Sequence, residues 1–369
     1  MLGKAGLFLL LMAMGAALWV GLELYSLMHP ALSGMKQLER VDGGRIQVRV
    51  DPRLELIYIV QSLTSWAPKL GWFLNPKEFE YKGRVKARFA RFADHPAIKV
   101  AERFRDPFAN NRFILHYSPP PELRQVHPFS NLTEALNALK RATSWLEPLR
   151  RFAVQTDFMG FFRENQGLYD GWVQAIREEI GDGKPIVDFL ESYFGTRMKG
   201  YHVLLAPLMK PTTQQGPMVA GEAYFIGSPL GFLDDSPKDG LMEMLILSEF
   251  AHSFINPITE RHKDRLRRYA EAAFRDEPEK VTRYYSAYWM IFNEYVTWVV
   301  VARYFRLRGE EASVNKVIEL MRGRGFQHFQ AFYDLMEKYE QNRDLYPTFE
   351  DFYPEFTMLL KEIAEGGTS

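Results

Sequence analysis

The segment LMEMLILSEFAHSFINP, Leu241 to Pro257, is apolar along most of its length and carries polar residues in one narrow pattern. Ser236 followed by Pro237 is a helix start, and Pro257 disfavours helical geometry at Asn256, so the spacing predicts a helix over about 238–255. At about 100° per residue, Ser248, Glu249, His252 and Asn256 fall on one side of that helix, while leucine, methionine and phenylalanine fill most of the rest. An apolar helix with a single polar stripe is a strong constraint. A buried carboxylate without partners costs several kcal/mol, roughly, so any fold of this chain must bring polar groups from another element to the stripe.

A second helix, predicted over about 279–307, offers such groups. Asn293 and Glu294 stand there amid Tyr288, Trp289, Ile291, Phe292, Val296 and Trp298. Two arrangements meet the requirement. One is a structural network, with Glu249 paired to an arginine such as Arg267 or Arg303 and His252 bonded to backbone. The other is a metal site. In the zinc motif HExxH two histidines at i and i+4 share a helix face, and the glutamate after the first activates the metal-bound water. Here Ser248 stands where the first histidine would be, ahead of Glu249 and His252. Glu294 follows His252 by 42 residues, a permissive distance for a third ligand from a later helix. ExxH alone recurs in many helices, so the pattern by itself favours the structural network.

Lysine plus arginine and aspartate plus glutamate number 46 each in 369 residues, so no global field recruits nucleic acid. The absence of cysteine excludes disulfides, thiol catalysis and thiolate-bound metals, leaving histidine and carboxylates as the strong ligands. Lys4 precedes an uncharged run from Ala5 to Leu22, 18 residues, at the lower limit for crossing a bilayer. Residues 1–30 therefore read as a signal anchor or signal peptide, with a retained membrane anchor favoured because the run is long and its cleavage signal weak. The remainder, 31–369, is expected outside the cytoplasm, membrane-anchored or periplasmic/extracellular.

The rest of the chain reads as one helix-rich α+β domain. Strands are expected at Arg45 to Val50, Tyr201 to Leu205 and Gly221 to Ile226, and LELIYIVQSL after the first strand reads as a helix. Asn131, three residues before Glu134, caps a helix that continues to about Leu146. Pro185 and Gly195 frame another. The small sheet and its helices are expected to extend to about 235, and the C-terminal half to be helical, with further helices over 313–363.

The continuation Glu249-Phe250, His252-Ser253-Phe254, Asn256-Pro257 resembles the motif of bacterial exported proteins grouped as domain of unknown function 4932. DPRLELIYIVQSL, FMGFFRENQGLY, FLESYFG and NEYVTWVVVARYF resemble the same family, and together they extend the resemblance over nearly all of the chain after residue 40. The resemblance implies a zincin-like, gluzincin-type metallopeptidase fold, with Glu249 as general base, His252 and Glu294 as zinc ligands, and zinc as cofactor. It implies an oxyanion donor among Tyr284, Tyr285 and Tyr288, of which Tyr288 is taken here. Ser248 departs from the pattern, because a neutral hydroxyl is a poor zinc ligand beside imidazole. The expected function is thus a degenerate metallopeptidase-like protein of the cell envelope with impaired or lost zinc hydrolase activity. The alternatives are an active zinc peptidase with a compensating ligand such as His262 or His202, and a non-catalytic envelope binding or scaffold protein. A metal-free glycosidase using Glu249 and Glu294 is a third class. The expected partner is a peptide or protein, aligned by edge pairing on the strand around Ala223 to Ile226.

Overall fold

The computed structural model describes residues 4–30, 45–230 and 240–366, with the side chains of residues 4–11 and 14 outside the description. In chain order, α1 (Lys4–Met28) is followed by β1 (Gln47–Val50), α2 (Pro52–Ser62), α3 (Glu80–Phe89), α4 (Pro96–Ala101), α5 (Pro107–Ile114) and α6 (Leu132–Ser144). Next come α7 (Leu146–Gln155), α8 (Phe158–Glu164), α9 (Gln166–Ile180) and α10 (Lys184–Phe194). The strands β2 (Gly200–Leu205), β3 (Gln214–Gln215), β4 (Met218–Val219) and β5 (Glu222–Gly227) lead to α11 (Leu241–Ala273). The chain ends with α12 (Glu279–Thr282), α13 (Tyr288–Leu307), α14 (Glu311–Arg324), α15 (Phe329–Gln341) and α16 (Tyr353–Ala364). The result is helix-rich α+β with a small mixed sheet.

Local chemistry explains the early boundaries. Asp51 accepts a hydrogen bond from the Arg53 amide at 2.9 Å, and Pro52 occupies the first turn, so α2 starts as soon as β1 ends. Asn131 caps α6 by accepting from the Glu134 amide at 2.9 Å. Gly195 closes α10 in the left-handed region at φ 68°, as its position after the apolar stripe predicts.

β1, β2 and β5 run parallel, with Val48 beside Val203 and Val203 beside Phe225. β3 and β4 pair antiparallel with β5 on its other side. The strand expected to offer an edge, Ala223 to Ile226, is therefore interior. β1 forms one edge of the sheet and Gln214 to Val219 the other, and the polar and glycine-proline sequence of the latter carries no strand periodicity, so no strand is expected there. One face of the sheet meets α11, where the rings of Tyr201 and Phe250 lie 5.3 Å apart edge to face.

Two helix boundaries differ from expectation. α11 does not stop at Ile255 but passes through Pro257 to Ala273. The lost amide bond and ring crowding are offset by burial of Ile258, Thr259, Leu266, Ala270 and Ala273 in the second half. Its expected start at Lys238 lies outside the described residues. The predicted 279–307 helix is split, because α12 ends at Thr282, α13 begins only at Tyr288, and Ala287 between them is extended at φ −129°. From Ile291 to Phe305, α13 is buried on nearly every side, packed by α11, α14 and α15.

The uncharged run Ala5 to Leu22 lies in α1, in part outside the described side chains. Among the described residues, no helix is long and apolar enough to cross a membrane.

Candidate functional site

The polar stripe of α11 meets α13. His252 Nε2 lies 3.3 Å from Glu294 Oε1, and its Nδ1 lies 3.2 Å from the Thr297 hydroxyl. Glu294 Oε2 accepts from the Trp298 indole N–H at 3.2 Å, and the Tyr285 hydroxyl stands close enough to act on the same carboxylate. The spacing of these partners is helical: Thr297 and Trp298 stand three and four residues after Glu294, on the same face of α13. The stripe continues past the histidine. Asn293 Nδ2 donates to Asn256 Oδ1 at 2.8 Å, the Thr259 hydroxyl lies 2.6 Å from Asn293 Oδ1, and the Tyr353 hydroxyl of α16 lies 2.6 Å from Thr259.

Electrostatics follow from burial. Burial pushes the Glu249 carboxyl up to about 7, with the nearby Glu294 charge adding to the shift and His252 opposing it. For His252 burial alone would lower the pKa, but the hydrogen bond and charge of Glu294 outweigh it and raise it to about 9. Glu294 feels the same balance in reverse and is held below its ordinary range. At neutral pH the pair is an imidazolium and a carboxylate, a partly desolvated ion pair with further hydrogen bonds at both ends.

Ser248 does not join them. Its hydroxyl donates to the Leu245 carbonyl of its own helix at 2.8 Å. Tyr288 does not either, since its hydroxyl donates to the Lys263 carbonyl at 3.2 Å and Tyr285 holds the place beside Glu294. The two histidines considered as substitutes are bound elsewhere. His262 lies 3.1 Å from Glu350, and His202 sits between Glu222 at 3.2 Å and Arg49 at 3.2 Å. Neither arginine expected for Glu249 is its partner: Arg267 pairs with Glu271, and Arg303 with Glu337 and Glu340. Besides His252, the cation that acts on Glu249 and Glu294 is Arg324, at the end of α14, stacked 4.8 Å over the Trp298 ring. Nothing in its sequence surroundings pointed to it.

The sheet edge leans on the same turn of α11. A Cβ on Gly216, between β3 and β4, would lie 2.2 Å from the Glu249 carbonyl oxygen and 2.8 Å from its Oε2, so only glycine lets the edge approach this closely.

A catalytic zinc takes three protein donors and keeps a fourth position open. At the ligand positions α11 and α13 supply one imidazole, His252, and one carboxylate, Glu294, close to each other, with Ser248 turned into its helix. Among the described residues no group of three or more histidine, aspartate or glutamate side chains is placed to hold a metal ion. This donor set does not fit a catalytic zinc.

The family model for a domain of unknown function, DUF4932, matches residues 138–359, more than half of the chain. The chain belongs to this family. The match takes in α11 and α13 together with the sheet from β2 to β5, whereas DPRLELIYIVQSL precedes it. No curated protein and no solved structure matches the DUF4932 chain.

Proposed function

We propose that this DUF4932 protein is a metallopeptidase-like protein of the cell envelope, anchored by α1, whose zinc site is dismantled and whose hydrolase activity is lost. It retains a peptide- or protein-binding role. The observation that carries this reading is the hydroxyl of Ser248. It occupies the position of the first motif ligand, one turn before His252, and is satisfied by its own helix. With two donors locked to each other, Glu249 has no metal-bound water to deprotonate, and its neutral form at mildly acidic pH is left to donate and accept hydrogen bonds. The Gln214 to Val219 edge beside Glu249 supports the binding role, because an edge strand is where an extended peptide adds to a sheet.

The test is metal content of the purified full chain, natural and Ser248→His. The natural protein is expected to carry no stoichiometric zinc, and the variant to gain it as the third ligand is restored. Stoichiometric zinc in the natural protein would overturn the dismantled-site reading. Absence of zinc from the variant as well would remove Glu294 as a ligand position, and the metallopeptidase relationship with it.

A further inference from the structure

α1 leaves the body of the protein part-way along its length. From Met12 to Trp19 every described side chain is exposed on all sides of the helix, Leu18 by 66% and Trp19 by 52%. From Val20 onward the helix joins the core through Val20, Leu24, Leu27 and Met28, and it packs against α6. The Leu27 carbonyl accepts from the Phe129 amide at 3.1 Å and from Gln125 Nε2 at 2.6 Å, so the last turn is fixed by backbone as well as by packing. Beside this junction α6 buries Ala135 and Ala138 but leaves Leu132 and Leu136, one turn apart, 53% and 49% exposed.

Length decides what covers those leucines. The uncharged run Ala5 to Leu22 makes about 27 Å of helix, slightly less than a hydrocarbon layer of about 30 Å. Without its last turn the run, Ala5 to Trp19, makes only about 22 Å. A bilayer crossed by this run must therefore include the turn from Val20 to Leu22, and it brings the adjoining surface of the body to the membrane. Trp19 and the 62% exposed Tyr25 supply amphipathic rings at that level, and the exposed Lys140 follows Leu136 by one turn, suited to anionic headgroups.

We propose that α6 is a second membrane contact, with Leu132 and Leu136 seated in the edge of the bilayer that α1 enters, holding the body in one orientation. The inference rests on the anchor reading given above. It deepens that reading by naming a lipid surface as the partner of α6.

The chain lacks cysteine, so a single introduced cysteine is a unique labelling site. Full-length Leu136→Cys, Leu18→Cys and Gln341→Cys, each carrying an environment-sensitive fluorophore, would be reconstituted into phosphatidylcholine and phosphatidylglycerol vesicles containing nitroxide lipids. The expected result is loss of intensity at positions 18 and 136 and none at 341. Quenching at 18 without quenching at 136 would overturn the α6 contact and leave the anchor standing. No quenching at either would overturn the anchor, and this inference with it. Equal quenching at 136 and 341 would show a body without fixed orientation and would overturn the proposal too.

Discussion

His252 and Glu294 face each other across the contact of α11 and α13, Nε2 to Oε1 at 3.3 Å, with each side chain only 15% exposed. Removing one charge of such a pair leaves the other desolvated. Glu294→Gln is expected to destabilise the protein by about 3–5 kcal/mol in urea unfolding. The His252 pKa, followed by NMR, should fall from about 9 to near or below its ordinary 6.5, because burial then acts without the carboxylate. The sign of the pH dependence is fixed by the raised folded value. The contribution of His252 is fully present below pH 6.5 and is lost as pH rises toward 9, and Glu294→Gln should flatten that loss. An unchanged titration of His252 would show that the pair is not formed.

Glu55 gives a second pH prediction, remote from α11. It is 1% exposed, its Oε1 accepts from the Tyr81 hydroxyl at 2.6 Å, and burial pushes its pKa from 4.5 up to about 7. Its folded value is raised, so stability is full below pH 4.5 and lost as pH rises to about 7. Glu55→Gln removes this penalty, and the natural protein should be less stable than the variant by up to about 3 kcal/mol more at pH 8 than at pH 4. Parallel pH curves for the two proteins would contradict this.

Gly216 marks the approach of the sheet edge to Glu249. Gly216→Ala is expected to push the edge off α11 at a cost of roughly 1–3 kcal/mol, the range for overpacking a tight contact. Hydrogen exchange should then quicken at Tyr224, whose amide bonds the Pro217 carbonyl at 3.0 Å. Unchanged exchange there would mean that the edge does not depend on glycine.

Tyr353 tests the far end of the polar stripe. Tyr353→Phe removes one hydroxyl from a chain in which Thr259 still reaches Asn293, so the loss should be about 1 kcal/mol in thermal or urea unfolding. Asn293→Leu strands Asn256 and Thr259 together and should cost clearly more than Tyr353→Phe. Equal losses would argue against a connected network.

The most readable parts of the chain were those where local chemistry decides. The Asn131 cap, the Pro185 and Gly195 frame, and the strands around residues 47–50, 200–205 and 222–227 all stand as the residues predict. Pro257 misled because a local steric cost was weighed without the buried face beyond it. β3 and β4 were missed because two-residue strands take their pairing from β5 and carry no period of their own. Tyr285 and Tyr288 could not be told apart, since the break before α13 sets which of them points toward Glu294.

By itself the sequence determined that Ser248, Glu249, His252 and Asn256 share one stripe of an apolar helix and that the stripe needs polar partners, because helical periodicity and the cost of burying charge are local quantities. Family membership was also legible there, in the residues around the stripe. Tertiary structure alone decided who the partners are: Glu294, Thr297 and Asn293 from α13, Tyr353 from α16 and Arg324 from α14. Such pairings depend on how helices far apart in sequence pack against one another, and no local pattern encodes that distance.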